Sequence, residues 1–145
     1  MSALEKQDIL IVDDDPSIRT LLSRTLERAG MRCGVASDGV DATEQIEKTD
    51  YALVLLDLMM PRLDGVGFVK HLRERQERGG GRPVVLIMTA APDRKDLAGT
   101  GDMVQAILTK PFDIHDVVGL CHDCVAVRRD YESHRRHLVH DGIGS

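Results

Sequence analysis

The chain predicts an α/β fold, a doubly wound five-stranded parallel sheet flanked by five helices. Two observations carry this expectation. Short apolar runs alternate strictly with amphipathic helical patterns along the chain, the order that builds a parallel sheet with helices on both faces. The core must also be aliphatic: aromatic residues make up 3% of the sequence and there is no tryptophan. Runs of Val, Ile and Leu suit strands buried on both faces.

Taken in order, Ile9 to Val12 is the first strand, ending in Asp13-Asp14-Asp15-Pro16. Asp15 followed by Pro16 is a helix start, a capping side chain and then a ring suited to the first helical position. Ile18, Leu21, Leu22, Thr25, Leu26 and Ala29 recur at helical spacing until Gly30 stops the helix. Met31 to Ala36 is a second, weaker strand. Ser37-Asp38-Gly39 then leads into a helix with Val40, Thr43 and Ile46 as its expected inner face. Tyr51 to Leu56 is the strongest strand, ending at Asp57, and Pro61 forces an extended turn before a helix from Asp64-Gly65 carrying Val66, Val69 and Leu72. After the glycine-rich link 78–83, Val84 to Met88 is the fourth strand, ending at Thr89. A short helix from Pro92-Asp93 is expected to stop at Gly99-Thr100-Gly101, since glycine costs a helix about 1 kcal/mol. Val104 to Leu108 is the fifth strand, followed by Thr109-Lys110-Pro111 and a last helix past Ile114, Val117, Val118, Cys121 and Val125.

The 145 residues suit one domain. A formal net charge of −5 argues against a direct nucleic-acid binder. No apolar stretch approaches the roughly 20 residues that span a bilayer, and the first residues lack a signal-peptide core, so a cytoplasmic location is expected. Cys33, Cys121 and Cys124 form an odd set, and a disulfide framework is not expected. The pair Cys121 and Cys124 raises zinc or redox chemistry, but burial as small hydrophobes is the better reading. His134, His137 and His140 suit a solvated helix face, and His115 takes no phosphotransfer role.

In an open parallel sheet the ligand site lies beyond the carboxyl ends of the strands. The polar residues that end the apolar runs are Asp13 and Asp14, Asp57, Thr89 and Lys110. Parallel strands bring these ends to one edge, where three carboxylates, a hydroxyl and an ammonium would meet. Crowded carboxylates repel, and a hard divalent cation relieves that repulsion. Mg²⁺ is the expected ion. A carboxylate attacking phosphorus gives an acyl phosphate. Asp57, alone at the end of the most buried strand, is the expected nucleophile. Taken singly, each residue also suits an ordinary role: Asp13 to Asp15 a helix N-terminus, Asp57 a turn, Lys110-Pro111 a solvated corner. Their combination at strand ends favours the chemical reading.

Over roughly residues 7 to 127 the chain resembles the receiver domain of two-component response regulators, the CheY-like family. The matching stretches are residues 9–16, Leu53 to Pro61 with Asp64-Gly65, Val85 to Ala90, and Leu108 to Phe112. The resemblance implies strand order 2-1-3-4-5. It implies a phosphoryl group passed to Asp57 from a sensor histidine kinase or histidine phosphotransfer protein. It implies Mg²⁺ held by Asp13, Asp14, Asp57 and the Met59 backbone carbonyl, with Thr89 and Lys110 meeting the phosphoryl group. Output would reach a protein partner, through the surface around the fourth helix, fifth strand and fifth helix. The chain would catalyse only its own phosphorylation and dephosphorylation. Two positions depart from the pattern: Ile107 stands where many receivers carry an aromatic switch residue, and Gly99 and Gly101 break the fourth helix. Residues 1–127 are thus expected to form the receiver and 128–145 a C-terminal helical extension and disordered tail, with no output domain. Two rival readings are a phosphohydrolase of the haloacid dehalogenase type, whose nucleophile would be Asp13, and a degenerate receiver acting only as a binding module.

Overall fold

The computed structural model describes residues 5–57, 65–79, 83–89 and 104–138. Five strands run in the order β1 (Glu5–Val12), β2 (Cys33–Ala36), β3 (Thr49–Asp57), β4 (Val84–Thr89) and β5 (Val104–Thr109). Four helices are described: α1 (Pro16–Arg28), α2 (Gly39–Lys48), α3 (Gly65–Glu77) and α4 (Ile114–Leu138). All pairings are parallel and the sheet order is β2-β1-β3-β4-β5, as the resemblance implies. The short helix expected after Pro92 falls outside the described residues.

Local chemistry sets the helix ends. The Asp15 carboxylate accepts from the Ser17 N–H at 2.9 Å, with Pro16 in the first turn. Gly30 adopts φ 91°, and Gly30 N–H donates to Glu27 while Met31 N–H donates to Leu26. That pair of bonds is a Schellman stop, and the left-handed residue suits glycine. Asp38 caps α2 by accepting from Asp41 N–H at 2.8 Å, and Asp41 in turn accepts from Ser37 N–H at 3.1 Å.

The sheet divides the core in two. Leu10, Val12, Val54, Leu56, Val85 and Ile87 face α2 and α3. Ile9, Ile11, Leu53, Leu55, Leu86 and Met88 face α1 and α4. Each buried Leu or Ile contributes roughly 1.5–3 kcal/mol, so β1 and β3, buried on both sides, anchor the domain.

One helix is rotated from expectation. In α2 the buried residues are Gly39, Ala42 and Ile46, while Val40 is exposed and Thr43 only partly covered. Small residues at 39 and 42 let the helix lie close to the sheet, and that contact overrides the apolar count at position 40. In α1, Leu22 and Leu26 are buried but Leu21 is exposed. In α3, Phe68 joins Val69 and Leu72 at full burial. Among the described residues no helix is long and apolar enough to cross a membrane.

Candidate functional site

The site is built by strand register. Val12 pairs with Leu56, so the next residues along these parallel neighbours, Asp13 and Asp57, emerge side by side at the carboxyl edge. Asp57 is the last residue of β3 and 6% exposed; Asp13 is fully buried. Asp14, one residue on, is exposed. One oxygen from each of the three carboxylates lies within 4.8 Å of the others.

Several contacts hold Asp13. Its Oδ1 accepts from Asp15 N–H at 2.9 Å, and its main-chain carbonyl accepts from Arg19 Nη1 at 2.6 Å. Asp13 N–H donates to the Ala36 carbonyl at 3.2 Å, tying the loop to the end of β2. The Arg19 contact was not legible in the sequence. Its only signal is a place one turn into α1, where many side chains could stand.

Lys110 closes the site from β5. Its Nζ donates to Asp13 Oδ2 at 3.2 Å and to Asp57 Oδ2 at 3.5 Å. Its own N–H donates to the Thr89 carbonyl at 2.7 Å, and the Lys110–Pro111 peptide is cis. Burial acts to lower the ammonium's pKa. The hydrogen bond and charge of Asp13, and then those of Asp57, outweigh it and raise the pKa above the ordinary lysine value. The ammonium is therefore charged at neutral pH and faces two carboxylates.

Thr89 ends β4 at the same edge and is fully buried. The β3–β4 register pairs Asp57 with Met88, which sets Thr89 one residue beyond Asp57's partner. The structure thus gathers Asp13, Asp14, Asp57 and Lys110 and places Thr89 on the same rim. Met59, the expected backbone ligand, lies outside the described residues.

The donor set fits a small hard cation. Three carboxylates offer oxygen ligands only, and Mg²⁺ takes oxygens at roughly 2.0–2.1 Å while retaining water. Oxygens gathered within 4.8 Å need to close only slightly on such an ion. Asp14 is exposed and adaptable, whereas Asp13 is already fixed. Among the described residues no other cluster of three His, Cys, Asp or Glu side chains has comparable spacing. The cysteines in particular do not form one: Cys121 is buried in the core beside α1, with Cys33 and Cys124 packed against the same cluster, and all three are free.

Comparison with known proteins follows the same lines. The response regulator receiver domain family matches residues 9–121. The transcriptional regulatory protein SrrA of Staphylococcus aureus is 34% identical over 111 residues, 77% of this chain and 44% of its own. The chain thus spans less than half the length of that relative. Among solved structures, a CheY-like receiver domain protein from Methanospirillum hungatei superposes with a TM-score of 0.74 at 30% identity, covering 85% of this chain and 97% of that one. The response regulator TrrA from Thermotoga maritima, solved in complex with Mg(2+)-BeF, gives 0.69 at 26% identity, covering 81% and 98%.

Proposed function

The chain belongs to the response regulator receiver domain family of two-component signalling, and from that membership we propose that Asp57 is its phosphoacceptor. The observation that carries this reading is the position of Asp57. It ends the central buried strand, with two further carboxylates beside it and an ammonium 3.5 Å away.

In the proposed step a carboxylate oxygen of Asp57 attacks phosphorus on a phosphohistidine of a sensor kinase or phosphotransfer protein. The O–P bond forms as the P–N bond breaks, and the imidazole nitrogen leaves with the electron pair and then takes up a proton. Such transfers depend on positioning and charge neutralisation more than on covalent help. Lys110 supplies a fixed cation to a phosphoryl oxygen once Asp57 carries the acyl phosphate. The Thr89 hydroxyl donates to another. Asp13, Asp14 and Asp57, with the Met59 carbonyl, would hold Mg²⁺, and when bound the ion supplies the charge that offsets the carboxylates and the incoming group. The Mg(2+)-BeF complex of the Thermotoga neighbour supports that choice of metal. Hydrolysis of the acyl phosphate returns the carboxylate, so the domain turns over no substrate other than its own phosphoryl group. Its setting would be the cytoplasm and its readout a protein partner.

Ile107 bears on that readout. It lies on β5 and is 42% exposed, already on the outer surface, so an aromatic in-and-out movement has no counterpart here. Activation is then muted or read from another surface; crystals with and without a phosphoryl mimic test this, and the usual displacement around β5 would reject it.

The phosphohydrolase reading has no support from the family or from the site, because it leaves Asp57 without a role. The test is phosphorylation by a small-molecule donor with Mg²⁺, followed by trapping and mass spectrometry. The label is expected on Asp57 and absent from Asp57→Asn. Label on Asp13 would favour the hydrolase, and no label at all the degenerate receiver.

A further inference from the structure

Of the acidic residues between β1 and α1, Asp13 and Asp15 carry restraints on their own side chains. The Asp13 carboxylate accepts from Asp15 N–H and from Lys110 Nζ, and that of Asp15 accepts from Ser17 N–H. Asp14 is exposed, and among the described residues its carboxylate has no hydrogen-bond partner. One of its oxygens nevertheless lies within 4.8 Å of oxygens from Asp13 and Asp57. Something other than its own contacts aims it there.

The backbone supplies that aim. A peptide unit is planar, so fixing the Asp13 carbonyl also fixes where the Cα of Asp14 stands. Arg19 Nη1 donates to that carbonyl at 2.6 Å, and on the other side Asp13 N–H donates to the Ala36 carbonyl at 3.2 Å. Hydrogen bonds from a charged donor are short and roughly twice as strong as neutral ones. Arg19 is itself well anchored. Its main-chain N–H donates to the Asp15 carbonyl at 3.1 Å, so the residue ties the loop to the helix twice. Its helix is seated by Leu22 and Leu26, with Ile18 packed against the same core.

We propose that Arg19 is a positioning residue for the acidic site. Through the Asp13 carbonyl it aims Asp14 at the cation, touching neither the ion nor the phosphoryl group. This rests on the reading that Asp13, Asp14 and Asp57 hold Mg²⁺. The charge of Arg19 and its contact act on that binding in opposite directions. A nearby guanidinium repels a cation, so charge alone would make its removal tighten Mg²⁺ binding. Release of the peptide weakens binding, as loss of the groups that orient metal ligands does.

Titration calorimetry with Mg²⁺ on the 145-residue chain, joined to amide hydrogen exchange without the metal, tests the proposal. Arg19→Met should lower Mg²⁺ affinity on the order of tenfold. Arg19→Lys, which keeps a charged donor, should recover part of that loss. In the Asp14→Asn background Arg19→Met should change the affinity only about twofold or less, because residues that act through one contact are not additive. Without Mg²⁺, the Asp15 N–H of Arg19→Met should exchange several-fold faster relative to the buried amides of β3, the mark of local release. An affinity that rises or stays level in Arg19→Met would overturn the proposal and leave the metal site standing. A fall just as large with Asp14→Asn as without it would do the same. A wild-type chain that binds no Mg²⁺ would overturn the reading of the site itself, and the role of Arg19 with it.

Discussion

Lys110 Nζ stands 3.2 Å from Oδ2 of Asp13, joining the end of β5 to the end of β1 across 97 positions of sequence. The contact makes the ammonium the resident counterion of an acidic cluster. Removing it takes away the ammonium that donates to both Asp13 and Asp57.

Lys110→Met is therefore expected to destabilise the protein without Mg²⁺ by about 1 kcal/mol, a figure kept small because the lysine is partly hydrated. Mg²⁺ should then raise the melting temperature of the variant more than that of the wild type, since the metal replaces the missing charge. Calorimetry at several Mg²⁺ concentrations reads this, and equal shifts in both proteins would contradict it.

Asp14→Asn separates metal binding from folding. The residue is exposed and belongs to the acidic trio, so stability should stay within about 0.5 kcal/mol. Mg²⁺ affinity should fall on the order of tenfold, because one of few anionic ligands is lost. Titration calorimetry measures both terms of the comparison. Unaltered Mg²⁺ affinity would remove Asp14 from the ligand set.

Gly34 on β2 tests the packing. A Cβ there would overlap the Tyr51 hydroxyl and come within 3.0 Å of its ring carbon Cζ. Tyr51 is 3% exposed and cannot swing away freely. Gly34→Ala should cost about 1–3 kcal/mol, the range of overpacked cores. Part of that cost should vanish in the Tyr51→Phe background, where the overlapping oxygen is gone. A cost as large with phenylalanine as with tyrosine would place the clash elsewhere.

Burial pushes the Cys33 and Cys121 thiols up to about 12, with the charges of Glu27 and Asp8 adding at Cys33 and the neighbouring thiols adding at Cys121. These groups are expected to react with a disulfide reagent at pH 8 far more slowly in the native protein than in denaturant. Above the ordinary thiol value of 9.0 an unfolded chain loses protons that the folded chain keeps. Their contribution to stability therefore declines as pH rises from about 9 toward 12. Denaturant midpoints at pH 8 and pH 10 should separate less in Cys121→Val than in the wild type. Native labelling as fast as unfolded labelling would exclude this protonation state.

The sheet edge was legible because each apolar run ends abruptly in a polar residue, and β1, β3, β4 and β5 deliver Asp13, Asp57, Thr89 and Lys110 to one rim. Strand order came from the family resemblance, since alternation alone allows several windings. Rotation of α2 was not legible: apolar Val40 outscores Gly39 on any pattern, yet closeness to the sheet selects the smaller residue. Cys33 and Cys121, far apart in the chain, pack against one core cluster, a meeting that spacing cannot reveal. The core pattern over Val117, Cys121 and Val125 marks the inner face of α4 but not its length, which reaches Leu138.

The alternation of β1 has one more effect. Leu10 and Ile11 are covalent neighbours, yet they are strangers in space, each sealed on its own side of the sheet. A vacancy opened beside Leu26 cannot be refilled by atoms beneath Leu72, because the hydrogen-bonded strands form a bulkhead between them. The domain thus tolerates injury compartment by compartment, and only the acidic rim, where both compartments end, feels damage from either.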